Sequence, residues 1–173
     1  MAQARAAEAD AKEMGFPYHP YAEGTEWKVV ADTPRFLSLS AAFYTYTGGA
    51  HPNHGSSALV WDRETGNGLK PIAMFASLEA LSEAVAQDYC TALNRQRAER
   101  NGEPIGSGGG MFSQCPEIGE LTVLLGSSSG KSFDRIGLIA DPYVAGSYAE
   151  GTYEVTLPVN AAILAVVRPE YSR

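Results

Sequence analysis

Basic residues are in short supply: 13 lysines and arginines stand against 20 aspartates and glutamates, giving a formal net charge of −7 over 173 residues. Binding to a phosphate backbone needs a basic face, so no nucleic-acid partner is expected, whereas a basic protein partner is compatible with the charge. Long hydrophobic runs are missing as well. No segment approaches the roughly 18 consecutive apolar residues of a transmembrane helix, and Arg5, Glu8 and Asp10 interrupt the stretch where a signal peptide would carry its apolar core. Cysteine is limited to Cys90 and Cys115, an even pair that fits one disulfide or two buried thiols equally well. Histidine is scarce too. Of the three present, two stand three residues apart.

What is plentiful is glycine, tyrosine and small hydroxyl residues arranged between short β-type runs. Residues 2–14 are alanine-rich and read as a helix stopped by Gly15 and Pro17. A candidate strand at 27–30 follows, then an Asp32-Thr33-Pro34 turn and a long strand over 35–47. That strand alternates, with Leu37, Leu39, Ala41 and Phe43 on one face and Ser38, Ser40, Tyr44 and Tyr46 on the other. A returning strand at 57–62 is closed by the turn at 64–68. Ser77 then caps a long helix that runs to Arg100 with Leu78, Leu81, Val85, Tyr89 and Leu93 at helical spacing, and Asn101-Gly102 ends it.

Residues 103–113, rich in Gly and Ser, read as a mobile surface loop. Strands are expected at 121–125, 133–139 and 153–157, with a short helix or turn at 160–167 stopped by Pro169. Hairpin joins dominate, so the expected fold is α+β: a mainly antiparallel sheet with one long helix packed on it and one or two shorter helices. Residues 1–25 form an N-terminal helix and connector, the possible end of an upstream domain, and 26–173 a single α+β domain.

Two segments carry polar display. The first is Gly48-Gly49-Ala50-His51-Pro52-Asn53-His54-Gly55, a loop shaped by glycine and proline. His51 and His54 are a weak candidate metal pair, since a three-residue spacing on a loop fixes no common direction; the plainer expectation has His51 bonding across the loop. The second runs from Asp141 to Gly151, where Tyr143 and Tyr148 either offer amphipathic contact groups, with Glu150 beside them, or pack over the sheet as lids of the core. Other chemistry finds little support. Gly126-Ser127-Ser128-Ser129-Gly130-Lys131-Ser132 resembles a phosphate-binding loop, but Leu125 stands where the first glycine belongs and a strand follows, so it reads as a hairpin turn. His51 has carboxylates such as Asp62 or Glu150 to recruit for a hydrolytic triad, yet no Gly-x-Ser-x-Gly elbow marks a nucleophile.

The strand into Tyr46-Thr47-Gly48-Gly49-Ala50-His51-Pro52-Asn53, the Trp61-Asp62 to Gly68 hairpin, the helix over 76–100 and Pro142-Tyr143-Val144-Ala145-Gly146 leading to Val155, Leu157 and Pro158 resemble a family of bacterial cell-envelope domains of unknown function. It includes the lysozyme-sensing domain of RsiV-type anti-sigma factors and the noncatalytic region of PdaC-type peptidoglycan deacetylases. The resemblance covers roughly residues 27–171. It implies a periplasmic or exported module, its signal or lipid anchor outside this sequence, that binds protein or peptidoglycan and transforms neither, with no cofactor. The binding-surface candidates are Tyr46, Gly48, Gly49, His51, Asn53, His54, Tyr143, Tyr148 and Glu150. The alternatives are a metal-assisted hydrolase at His51 and His54, and a purely structural accessory domain in which His51 ties the hairpin.

Overall fold

A computed structural model describes residues 2–102 and 110–172. Helix α1 (Ala2–Met14) ends where Gly15 takes a left-handed φ of 72°. The connector then doubles back, with the Tyr18 hydroxyl donating to the Ala4 carbonyl at 3.2 Å. Strands β1 (Ala22–Asp32), β2 (Phe36–Tyr46), β3 (Asn53–Asp62) and β4 (Asn67–Leu69) form an antiparallel sheet in that order. β1 is much longer than the 27–30 run expected from propensity, because it ladders against β2 from Ala22↔Tyr46 to Asp32↔Leu37. At the β1–β2 turn the Thr33 hydroxyl accepts from the Phe36 amide at 3.0 Å.

The inward face of this sheet carries Phe36, Ser38, Val60 and Asp62, all buried. The outward face carries Leu37, Leu39, Phe43, Leu59 and, in register with them, Trp27 and Trp61. Trp27 is 53% exposed and Trp61 42%. The apolar outer face is thus real surface.

Helix α2 (Leu78–Asn101) has Ser77 as its N-cap, accepting from the Ala80 amide, and Gly102 as its left-handed stop. Leu81, Val85, Tyr89 and Leu93 recur every fourth residue and are buried, while Leu78 stays at the surface. They pack against a second antiparallel sheet, β5 (Thr122–Gly126), β6 (Arg135–Ala140) and β7 (Tyr153–Pro158). In register, Val123, Leu138 and Val155 share one face with Leu125, Ile136 and Leu157, and all six are buried. The fold is α+β as expected, but the strands divide into two sheets. A 3₁₀ turn at Pro71–Met74 and the whole of α2 intervene between β4 and β5, and β5 begins a new ladder.

The short helix α3 (Ala161–Ala165) is capped by Asn160, whose side chain accepts from the Ile163 amide. Cys90 and Cys115 form a disulfide with Cα atoms 5.7 Å apart, deciding the alternative that composition left open. The expected Gly/Ser loop lies outside the described residues at 103–109. The Gly126–Ser132 segment is the β5–β6 hairpin turn, with no helix after it.

Candidate functional site

The polar hairpin end is shorter than eight residues. Asn53, His54 and Gly55 belong to β3, paired with Thr45, Tyr44 and Phe43. The Phe43 ring lies where a Cβ on Gly55 would have to go, so the glycine admits the aromatic across the strand. The remaining connection uses Gly48 and Gly49 at φ of 96° and 99°. Its geometry is held by the Tyr46 hydroxyl, which donates to the Gly49 carbonyl at 3.0 Å.

The second display segment docks onto this end. Asp141 is its anchor: one carboxylate oxygen accepts from the Ser56 amide at 2.9 Å and the other from the Ser56 hydroxyl at 2.6 Å. From behind, Arg97 of α2 donates to the Ala145 carbonyl at 2.9 and 2.7 Å. Tyr148 then reaches the hairpin, stacking on the His51 ring with centroids 3.7 Å apart and donating its hydroxyl to the Pro52 carbonyl at 2.9 Å. His51 Nδ1 lies 3.0 Å from the same carbonyl. A carbonyl only accepts, so Nδ1 carries the proton and Nε2 accepts from the Tyr143 hydroxyl at 3.4 Å.

Tyr143 occupies this place in a left-handed conformation, φ 72°, the one positive-φ residue other than glycine among the described residues. A bulky side chain there is strained, and such strain persists where the surroundings impose it. The cause is local: the Tyr143 amide donates to Gly146 and the Val144 amide to Asp141, closing a tight turn. Tyr143 nonetheless remains 56% exposed.

The expected contact residues therefore sort by position. Tyr46, Gly48, Gly49 and His51 build the hairpin end, Tyr143 and Tyr148 meet it from across the chain, and His54 lies beside Tyr148 with centroids 6.1 Å apart. Asn53 is exposed in β3, opposite Thr45. Glu150 stands behind the cluster with its carboxylate occupied: Tyr153 donates at 2.6 Å, Ser147 through amide and hydroxyl at 2.8 and 2.9 Å, and Asn101 at 3.2 Å.

The Tyr153 hydrogen bond, with help from Ser147 and Asn101 and against partial burial, lowers the Glu150 carboxyl to about 2. An acid with a depressed folded value contributes stability above its unfolded value, lost as pH falls through the folded one. Glu150 stability is thus expected to be complete above about pH 4.5 and gone below about pH 2. Glu150→Gln should cost about 2 kcal/mol at neutral pH after allowance for solvent screening, and flatten that acid limb in pH-dependent thermal melts. An acid limb identical to the parent's would remove Glu150 as its source.

Metal chemistry gains nothing from this arrangement. Both His51 nitrogens are engaged, and among the described residues no three His, Cys, Asp or Glu side chains gather in a metal-holding group. Asp62 is not a partner for His51 either, since it binds Arg35 at the opposite end of β3. The Asp141–Ser56 clamp and the Arg97 strut were not legible beforehand; only the Asp141-Pro142 turn dipeptide hinted at the first. A groove of about 340 Å³ lies beneath the cluster, lined by Ala42, His54, Ser56, Asp141, Tyr148 and Glu154 among others.

Comparison with known proteins bears on the same elements. The Deacetylase PdaC family matches residues 1–54, which take in α1, β1, β2 and the glycine-histidine hairpin end. No curated protein matches the chain. Among solved structures, a DUF3298 family protein from Pseudomonas aeruginosa PAO1 is similar with a TM-score of 0.58 and 19% identity, over 96% of this chain and 70% of that one. A DUF3298 family member from Bacteroides fragilis gives 0.60 and 22%, over 89% of this chain and 57% of that one. The chain thus spans little more than half the length of the second protein, and the likeness to both is one of fold. The chain is thus similar to the Deacetylase PdaC family over its N-terminal third and similar in fold to the two DUF3298 family proteins.

Proposed function

We propose that this accessory domain is a noncatalytic binding or sensing module of the bacterial cell envelope, exported, which contacts a protein or cell-wall glycan through the His51–Tyr143–Tyr148 cluster. The observation that carries the reading is Tyr143, held exposed in a strained conformation beside a histidine–tyrosine stack formed by two segments some ninety residues apart. Tyrosines fixed by hydrogen bonds offer large amphipathic contact area at little entropic cost, which is how recognition surfaces are built. The Cys90–Cys115 disulfide supports the exported part of the reading, because disulfides persist in oxidising compartments.

Calorimetric titration against lysozyme and against peptidoglycan fragments tests it. Binding to one of them is expected, and Tyr143→Asn should weaken that binding at least about tenfold, the scale of an aromatic hot spot. The thermal midpoint should hold or rise, since asparagine tolerates the left-handed region. No binding to either ligand, or a Tyr143→Asn variant that binds like the parent, overturns the proposal.

A further inference from the structure

A second site lies at the far end of the molecule from this cluster. Between the β1–β2 turn, the β5–β6 hairpin turn and α3 is a cavity of about 390 Å³. Its floor is made by Phe36, Met74, Phe75, Leu125, Ile136 and Ile163, every one of them buried. Its rim is exposed and includes Lys131, Ser132, Leu164 and Ser172. Protein interiors pack to crystal-like density, so core-lined space of this size open to solvent is not ordinary packing; it is the size and lining of a small-molecule site.

The charges at the rim select the ligand. Arg35 lines the cavity but is neutralised, with Asp62 and Glu64 each 3.0 Å from its guanidinium and the Glu170 carbonyl accepting at 2.8 Å. Lys131 forms no salt bridge among the described residues. It comes from the turn whose sequence resembles a phosphate-binding loop, yet three of that loop's amides are already used. Ser128 N–H donates to Asp134, Gly130 N–H to the Ser127 hydroxyl and Lys131 N–H to the Ser129 hydroxyl. With those three turned inward and a strand rather than a helix following, a phosphate would lack the converging backbone donors of such a loop. Among the described residues, what remains for a head group is the Lys131 ammonium with the hydroxyl of its neighbour Ser132, suited to a single carboxylate.

We propose that this cavity binds a medium-chain carboxylate, its hydrocarbon body on the Phe36–Ile163 floor and its head at Lys131. The site is independent of the tyrosine cluster, and neither proposal rests on the other.

Decanoate, decan-1-ol, decyl phosphate and inorganic phosphate serve as probes, followed by calorimetry and by methyl chemical shifts in the intact chain. Decanoate should bind saturably and move the methyl resonances of Leu125, Ile136 and Ile163. Decan-1-ol should bind roughly fivefold more weakly, the effect of one rim ion pair. Lys131→Gln, a change at an exposed residue, should bring decanoate down to the level of decan-1-ol and leave decan-1-ol unaltered. Ile163→Phe, which adds volume on the floor, should weaken both at least about tenfold. The proposal is overturned by failure of decanoate to bind, by methyl shifts elsewhere, or by undiminished decanoate binding in Lys131→Gln. Decyl phosphate binding more than about fivefold tighter than decanoate, or inorganic phosphate displacing decanoate, overturns the carboxylate head.

Discussion

Asp62→Ala is expected to destabilise the domain by about 3 kcal/mol, the cost of removing one partner from a buried ion pair. Asp62 is 1% exposed and accepts from Arg35 Nε at 3.2 Å, Arg35 Nη2 at 3.0 Å and the Glu64 amide at 3.0 Å. The Arg35 hydrogen bond, opposed by burial, holds the Asp62 carboxyl below its ordinary value. Without it Arg35, only 18% exposed, would keep a single carboxylate, the largely solvated Glu64. For a domain of this length the loss corresponds to roughly 6–12 °C in midpoint by calorimetry. The double variant Arg35→Met with Asp62→Leu should be no less stable than Asp62→Ala, because no unpaired charge stays behind. A drop of a degree or less in Asp62→Ala would show that the pair carries no such burden.

Reducing the Cys90–Cys115 bridge should have an effect of similar size. The two cysteines are 25 residues apart, and closing a loop of that length restricts the unfolded chain by about 3 kcal/mol in the entropic treatment. Cys90→Ser with Cys115→Ser, or reductant alone, should lower the calorimetric midpoint by roughly 10 °C. Because Cys90 sits in α2 and Cys115 leads to the Ile118–Glu120 turn against that helix, hydrogen exchange should rise first in the last turns of α2. An unchanged midpoint would mean that helix packing alone fixes this region.

Much of this architecture was legible from local rules. α2 announced itself by its Ser77 cap, its four-residue stripe and its glycine stop, because all three signals agree. The hairpin strands were legible from alternation, but which face turns inward was not. The inner face holds Ser38 and Asp62 beside Phe36 and Val60, whereas the outer one holds leucines and tryptophans, so side-chain hydrophobicity points the wrong way. The length of β1 was hidden for a related reason: Glu23, Gly24, Glu26 and Lys28 are poor strand formers held by the ladder to β2. At the candidate site, residue types pointed to the two display segments. Their meeting depends on Asp141 bonding Ser56 and on Arg97 bonding Ala145, contacts 85 and 48 residues apart that no local pattern encodes.

The outward-facing aromatic sheet also determines what light reports about this molecule. Trp27 and Trp61 are the only tryptophans in the chain, and both sit half-exposed on that face, away from the α2 core. Indole emission should therefore be red-shifted and open to aqueous quenchers in the native state. It will respond poorly to core melting and sharply to anything that covers the sheet.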